Sequence, residues 1–255
     1  MRALLIGDVV GQEGCAHVRR VLPGLRKLYM PDVVIANGEN AAEGNGLLPA
    51  SAQHLRDSGV DIITSGNHIL RRREIYDLLE EGDYVLRPAN LHPSAPGRGV
   101  LVYDGLRFRV AVVNLLGAAF LEPVDNPFDC VDRLLEQLDC KFIIVDFHAE
   151  ATAEKLSLGF YLDGRVSLVV GTHTHVQTAD ERILPGGTGY ITDLGMCGCF
   201  NSVLGVRPEL AIRRMRTHLP TRFENASGGQ CLSGLVADFD DATGKAVRLE
   251  RINVF

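Results

Sequence analysis

The sequence lacks any apolar run long enough to form a transmembrane helix. No stretch among its 255 residues approaches the roughly 18 apolar residues that such a helix needs. The opening segment MRALLIGDVVG is also too short in its apolar part for a signal peptide, because the acidic Asp8 ends it. These absences argue against membrane and secreted proteins, so we expect a cytoplasmic protein without a membrane partner.

The sequence also lacks closely paired cysteines and an excess of positive charge. None of its six cysteines forms a CxxC pair, which excludes a zinc ribbon and a thioredoxin-like motif. We expect these cysteines to be reduced thiols. Lys and Arg total 26 against 32 Asp and Glu, giving a net charge of −6, which argues against a surface for long duplex nucleic acid. No heptad pattern specifies a coiled coil, and a homo-oligomer remains open.

What the sequence contains is a repeated order of apolar run, glycine-containing turn and amphipathic stretch. The runs are rich in β-branched residues, as is typical of strands covered on both faces. We predict strands at 3–6, 33–36, 61–64, 142–145 and 166–170. Helices are predicted from the first turn to about residue 28, at 50–56, at 69–80 and from about 151. This alternation indicates a layered α/β fold.

Two hairpin signals argue against a purely parallel sheet, because the two strands of a hairpin are antiparallel. Asp104-Gly105 separates two strand patterns, and a second hairpin turns near Thr243-Gly244. We therefore predict two mixed β-sheets between helices, a four-layer α-β-β-α sandwich, in one domain that spans residues 1–255. The glycine-rich segment 182–206 is predicted to be a long surface loop or lid.

Polar residues that can bind metals follow five of the predicted strands. The carboxyl ends of sheet strands converge on one edge, so we expect these side chains to meet there. They are Asp8, Glu39, Asn40, Asn67, His68, His148, His173 and His175. Imidazole with carboxylate suits Mn, Fe or Zn better than Ca. His17, His54, His92 and His218 lack such a placement and are interpreted as surface or helix residues.

Five blocks occur in the order of a known superfamily. GD at 7–8, GEN at 38–40, GNH at 66–68, DFH at 146–148 and GTHTH at 171–175 resemble the calcineurin-like metallophosphoesterases. Two departures from the superfamily pattern restrict the resemblance to a smaller group within it. Val10 stands in place of the histidine of the first block, and Glu39 in place of an aspartate in the second. With GENAAEGNG, GNHI, DFHAEATAEK and TDLGM, the chain resembles the YmdB-type bacterial phosphodiesterases over nearly its whole length.

The resemblance implies a site for two divalent metal ions, with Fe or Mn favoured and Zn an alternative. It makes Glu39 the bridging carboxylate, Asp8 and His175 ligands of the first metal, and the amide oxygen of Asn40 our inferred substitute for the missing histidine. The implied ligands of the second metal are Asn67, His148 and His173.

The same resemblance implies hydrolysis of small cyclic nucleotides, notably 2′,3′-cyclic nucleotides. A hydroxide shared by the two metals would attack phosphorus in line, and His68 would protonate the leaving oxygen. The alternatives are a phosphomonoesterase or nucleotidase on the same site, a nuclease, and a metal-binding scaffold or regulatory module without catalysis.

Further residues are candidates for substrate contact. Asp193 and Ser202 are the polar positions to test in the loop at 186–206, although a packed turn is an equal alternative. Of Arg71, Arg72 and Arg73, we expect at least two to form a solvated face, while one remains open as a contact for phosphate or base.

Overall fold

The computed structural model describes residues 1–43, 45–105 and 107–255. Gly44 of the GENAAEGNG block and Leu106 beside the first predicted hairpin turn lie outside this range. The strands are β1 (Arg2–Ile6), β2 (Asp8–Val9), β3 (Val33–Asn37), β4 (Ile62–Thr64), β5 (Val100–Gly105), β6 (Phe108–Leu116), β7 (Phe142–His148), β8 (Leu168–Thr172), β9 (Arg182–Ile183), β10 (Gly189–Ile191), β11 (Met196–Cys199), β12 (Gln230–Phe239) and β13 (Ala246–Val254). The α-helices are α1 (Gly11–Tyr29), α2 (Pro49–Asp57), α3 (Tyr76–Glu81), α4 (Pro127–Leu135), α5 (Thr152–Tyr161) and α6 (Pro208–Thr217).

The strands form two mixed sheets. The first has the order β2-β11-β12-β1-β3-β4, with β13 also paired to β12; β1, β3 and β4 run parallel, whereas β12 is antiparallel to β1. The second has the order β5-β6-β7-β8-β10-β9, with a parallel centre and antiparallel edge strands β5 and β9. Both predicted hairpins are present as the antiparallel pairs β5–β6 and β12–β13, so the prediction of mixed sheets is confirmed.

Alternation along the strands produces the layers. In β1, Ala3 and Leu5 face a core that also contains Val110 and Val112 of the second sheet, so the two sheets pack face to face. The intervening Leu4 of β1 joins a second core with residues of α1 and α2. A third core lies between the second sheet and helices α4 and α5. The four-layer α-β-β-α arrangement is thereby confirmed.

The helix predicted at 69–80 is mostly absent. The chain instead forms two 3₁₀ helices, Ile69–Arg71 and Arg73–Ile75, before α3 begins at Tyr76. Arg72 separates them in an extended conformation, with φ −115° and ψ 112°. Its guanidinium donates to the carbonyl oxygens of Asn45 and Glu43, at 3.0 and 2.6 Å. These tertiary hydrogen bonds accompany the break in the helical pattern.

The prediction that 182–206 forms a surface loop is wrong for most of that segment. It contains β9, β10 and β11, and residues 188–199 are buried. Glycine permits this burial, because a Cβ on Gly7 would lie only 2.0 Å from the carbonyl oxygen of Gly195. Exposed residues of this segment lie in β9, in the turn after it and in the turn that follows β11. Among the described residues, no helix combines the length and apolarity needed to cross a membrane.

Candidate metal centre

The candidate site lies where the carboxyl ends of strands from both sheets meet. In the first sheet β1, β3 and β4 lead into it, and in the second sheet β7 and β8 do so. This shared edge explains why residues far apart in sequence come together. The structure places all eight predicted residues in one contact network: Asp8, Glu39, Asn40, Asn67, His68, His148, His173 and His175.

Glu39 lies at the middle of this network and is completely buried. Its Oε1 is 3.2 Å from both His148 Nε2 and His68 Nδ1, and its Oε2 accepts the His68 backbone N–H at 3.0 Å. Burial alone would raise the pKa of the carboxyl, but the charge and hydrogen bond of His148, together with those of His68, hold it well below its usual value. Glu39 is therefore an ionised carboxylate that lies between His148 and His68.

One half of the site is a compact set of donor atoms around His148. Glu39, His148 and His173 each offer one ligand atom, and these three atoms lie within 4.8 Å of one another. His148 Nε2 is 3.0 Å from His173 Nδ1 and 3.2 Å from Asn67 Oδ1. Nitrogen and oxygen donors in this arrangement fit a transition-metal ion.

Protonation of the two histidines follows from their surroundings. Burial would lower the pKa of His148, but Glu39, Asp8 and Asp146 outweigh it and raise that pKa to about 9. The pKa of His173 is lowered to about 4, first by burial and then by the neighbouring His148. A cation at this point would take over the charge that the proton on His148 supplies to the carboxylates.

The other half of the site centres on Asp8. Its Oδ2 accepts the backbone N–H of His173 at 3.0 Å, and its Oδ1 is 3.7 Å from His175 Nε2. Among the residues that the structure describes, the buried Oδ1 has no hydrogen-bond partner. Burial raises the pKa of Asp8 to about 6, against the opposing charges of His175 and His148. An unpartnered buried carboxylate oxygen beside an imidazole fits a second cation.

Asn40 reaches both halves of the site through its amide. Its Nδ2 donates to Glu39 Oε1 at 3.0 Å and is 3.4 Å from His175 Nε2, while its Oδ1 is 2.9 Å from His68 Nδ1. In this orientation the amide oxygen faces the His68 ring and not a metal position. Turning the amide by 180° would bring the oxygen to Glu39 and His175, the orientation that a metal ligand requires.

His148 is also part of a buried hydrogen-bond network on the side away from the site. The sequence analysis did not assign this network. His148 Nδ1 is 2.9 Å from Thr172 Oγ1, which donates to Asp146 Oδ1 at 2.7 Å. Thr64 and Asn37 also donate to Asp146. Such outer partners fix the ring orientation and leave Nε2 facing the site. Asp146 and Thr172 belong to the DFH and GTHTH blocks, so the sequence contained a signal for both.

Hydrogen-bonding partners outside the site also orient the imidazole rings of His173 and His175. His173 Nε2 is 3.0 Å from a carboxylate oxygen of Glu150, and His175 Nδ1 is 3.1 Å from the carbonyl oxygen of Leu204. His173 therefore presents Nδ1 to the site, whereas His175 presents Nε2. Neither Glu150 nor Leu204 was predicted from sequence.

The two polar candidates in the 186–206 segment form hydrogen bonds within the protein, which favours the packed-turn alternative over substrate contact. Asp193 is completely buried and accepts a hydrogen bond from Lys155 Nζ at 2.7 Å, so it does not face a substrate. The Ser202 hydroxyl donates to the Cys199 carbonyl at 2.6 Å and accepts from the Gly205 N–H at 2.8 Å. Asp193 is used inside the protein because its part of the segment is packed, whereas the Ser202 hydroxyl is used by main-chain atoms of its own turn.

The three arginines after His68 behave differently from one another. Arg71 is exposed and pairs with exposed Glu122 at 2.9 Å, and Arg73 is also exposed. Arg72 binds main-chain carbonyls, as described above. Two of the three therefore lie on a solvated face, as predicted.

Comparison with known proteins identifies the family. The family model described as YmdB-like protein matches residues 4–252. The chain belongs to the YmdB-like family. This YmdB-like chain is 50% identical over 254 residues to the 2′,3′-cyclic-nucleotide 2′-phosphodiesterase of Bacillus subtilis, covering 99% of this chain and 96% of that protein.

Solved structures agree with this assignment. The YmdB-like chain matches a hypothetical protein from Thermus thermophilus with a TM-score of 0.95 and 42% identity, covering 100% of this chain and 99% of that one. It matches a structure described as a novel phosphatase from Mycoplasma pneumoniae with a TM-score of 0.94 and 37% identity, covering 100% and 93%. A Haemophilus influenzae NAD nucleotidase, at 14% identity and TM-score 0.64, shares the fold over 99% of this chain and 55% of that chain.

Proposed function

We propose that the protein is a metal-dependent phosphodiesterase that hydrolyses 2′,3′-cyclic nucleotides. The observation that carries this proposal is the convergence of Glu39, His148 and His173 on one point. The activity of the Bacillus subtilis relative, at 50% identity over nearly the whole chain, supplies the substrate class. The same convergence disfavours a scaffold that has lost its ligands, because every proposed position holds a competent donor.

The donor set supports two divalent ions, Fe or Mn, with Zn as the alternative. Glu39 would bridge them. Asp8, Asn40 and His175 would hold the first, and Asn67, His148 and His173 the second. When bound, two such ions neutralise charge on phosphate and activate water near neutral pH. The free Asp8 Oδ1 and the close Glu39–His148–His173 group are the structural support for this arrangement.

His68 is the proposed proton donor to the leaving oxygen. Its Nδ1 is 3.2 Å from Glu39 Oε1, and this contact fixes the direction of the ring whichever way the Asn40 amide is turned. Its side chain remains 26% exposed, whereas Glu39 is fully buried, so the ring is accessible from the solvent side of the site. An imidazolium ring has N–H groups on both nitrogens, which leaves Nε2–H available to a substrate.

Charge favours a small monoanionic ester over a long polyanion. Two divalent ions carry +4 against −2 from Asp8 and Glu39, so the loaded site is positive. The chain as a whole carries −6, which repels long nucleic acid. This contrast supports a cyclic nucleotide and disfavours a nuclease.

The test is hydrolysis of 2′,3′-cyclic AMP by protein loaded with Mn²⁺ or Fe²⁺, followed by chromatography of the nucleotide products. We expect one monophosphate isomer to accumulate without release of inorganic phosphate. Bis(p-nitrophenyl) phosphate and p-nitrophenyl phosphate are compared in parallel. No turnover of the cyclic substrate by metal-loaded protein would contradict the proposal.

A phosphomonoesterase on the same site is the second candidate. It is favoured by the Mycoplasma pneumoniae structure described as a phosphatase, at 37% identity. Faster hydrolysis of nucleoside monophosphates and p-nitrophenyl phosphate than of the diesters would support this alternative and overturn the diesterase assignment.

A further inference from the structure

A buried ion pair behind the metal centre has no role in the chemistry proposed above. Lys155 comes from the DFHAEATAEK block and Asp193 from the TDLGM block, 38 residues apart. Their side chains are 2% and 0% exposed, and Lys155 Nζ is 2.7 Å from Asp193 Oδ2. The pair joins α5, which follows the strand of His148, to the segment that precedes β11.

Asp193 directs its carboxylate at the residue between two of the proposed ligands. Its Oδ2 accepts both the backbone N–H of Thr174 at 3.1 Å and the Thr174 hydroxyl at 2.7 Å. Its Oδ1 accepts the N–H of Gly195 at 2.8 Å. Four donors therefore fix this carboxylate, and two of the four belong to Thr174.

The residues on either side of Thr174 have strained backbones. His173 has φ +99° and His175 has φ +64°, in the region that residues with a side chain rarely adopt. Such conformations persist only where the surrounding structure imposes them. The two hydrogen bonds to Thr174 act at the centre of the strained segment.

Stability is a weak reason for burying this pair. Removing two charges from water is costly, and a buried ion pair often gives no net gain over apolar residues of similar volume. A carboxylate that is fixed by Lys155 and also binds Thr174 can instead determine where the neighbouring histidine rings lie.

We propose that the Lys155–Asp193 pair is a positioning device that imposes the strained 173–175 backbone and so sets His173 and His175 in ligand geometry. This rests on the proposed metal site. Asp193 is a positioning residue because it acts through Thr174, and Lys155 is one because it acts through Asp193.

The test uses two double variants that both remove the buried charges. K155M/D193N retains a side-chain oxygen that can accept from Thr174, whereas K155M/D193L retains none. Circular dichroism melts establish that the variants fold, with midpoints expected within a few degrees of each other. Amide hydrogen exchange at residues 173–175 is measured in metal-free protein, and Mn²⁺ affinity is measured by electron paramagnetic resonance.

We expect faster exchange at residues 173–175 in K155M/D193L than in K155M/D193N, and Mn²⁺ affinity about 10- to 100-fold weaker. Equal exchange in the two variants would overturn the role of Asp193, and exchange in K155M/D193N equal to that of the wild type would overturn the role of Lys155. The exchange measurement needs no metal, so failure of the wild type to bind Mn²⁺ would contradict the proposed function and leave the positioning role to be decided by exchange alone.

A milder pair of variants covers the case in which K155M/D193L does not fold. T174V removes the hydroxyl donor to Asp193, and T174S keeps it. We expect T174V to exchange faster than T174S at 173–175. Indistinguishable exchange in these two variants would likewise overturn the positioning role.

Discussion

At the scale of single residues, the proposed site depends on donor atoms with different protonation. Glu39 is held ionised, His148 is held protonated in the metal-free chain, and the pKa of Asp8 is raised to about 6, chiefly by burial. These tendencies fit side chains that share charge with a cation. His68 differs from these three buried residues in exposure, because 26% of its side chain is accessible to a substrate.

Replacing His68 should impair turnover without removing metal. For His68→Ala we expect both metals to remain and kcat to fall by about 10²-fold or more, because a positioned acid contributes that much. The measurements are steady-state hydrolysis of 2′,3′-cyclic AMP and metal content by mass spectrometry. The exposed His92 supplies the control, and His92→Ala should behave as wild type. Wild-type turnover by His68→Ala would remove His68 as the acid.

Replacing Glu39, the proposed bridging carboxylate, should weaken the binding of both ions together. In Glu39→Gln we expect the affinities of both Mn²⁺ ions to fall by at least about 10-fold, because one side chain faces both ligand groups. Titration of metal-free protein with Mn²⁺ measures the two affinities. The exposed Glu122→Gln is the matched control. Loss of only one ion would show that Glu39 does not bridge.

Metal affinity should rise with pH. The pKa of metal-free His148 is raised to about 9, because Glu39 and Asp8 outweigh the effect of burial, so at pH 7 this imidazole holds a proton that a metal must displace. We expect Mn²⁺ affinity to increase by about tenfold per pH unit between pH 7 and 9. Calorimetry in buffers of different ionisation enthalpy should detect the released proton. A flat affinity over this range would contradict the role of His148.

At the scale of elements, the segment 182–206 shows why local composition misleads. Its glycines predict a flexible surface loop, but three of its stretches pair with strands from both sheets. Gly189 pairs with β8, and Gly198 pairs with β12. Glycine serves here for close packing, which a sequence pattern does not distinguish from flexibility.

Gly195 tests this interpretation. It has φ +81°, and a Cβ would lie 2.9 Å from atoms of Gln177 and Ser233. For Gly195→Ala we expect a loss of about 2 kcal/mol or more in the free energy of unfolding, from the backbone penalty and the clash. Urea unfolding measures it.

Gly24 provides the matched control for that substitution. It lies inside α1, and a Cβ there would meet nothing within 4 Å. Gly24→Ala should stabilise the protein by about 0.5–1 kcal/mol. Equal effects at Gly195 and Gly24 would show that neither conformation nor close approach matters at Gly195.

At the scale of the whole molecule, we propose that residues 1–255 form one domain. The C-terminal strand β12 pairs with β1, β13 pairs with β12, and the Met1 amino group is 2.5 Å from Asp241. The shared core between the sheets links elements from both halves of the chain. We expect calorimetry of the metal-free protein to show a single unfolding transition. Two separate transitions would contradict one domain.

Much of the fold and site follows from the sequence because it depends on local pattern. Alternating apolar residues indicate the layers, the turn signals indicate the hairpins, and Asp8, Glu39 and the four site histidines follow strands whose carboxyl ends share an edge. The sequence pattern did not show that the helix expected after His68 is interrupted at Arg72. Arg72 binds the carbonyl oxygens of Asn45 and Glu43, which are distant from it in sequence. The helices α4 and α6 were not predicted.

The sequence by itself determined the two-sheet architecture and the donor types of the site, because strand periodicity and residue chemistry are local properties. Only the tertiary structure decided that Asp193 is buried against Lys155, that Asp146 and Thr172 orient His148, and that the Asn40 side chain contacts His68. These features depend on contacts between residues far apart in the chain. Packing between the sheets brings such residues together, and no local pattern encodes their distance or orientation.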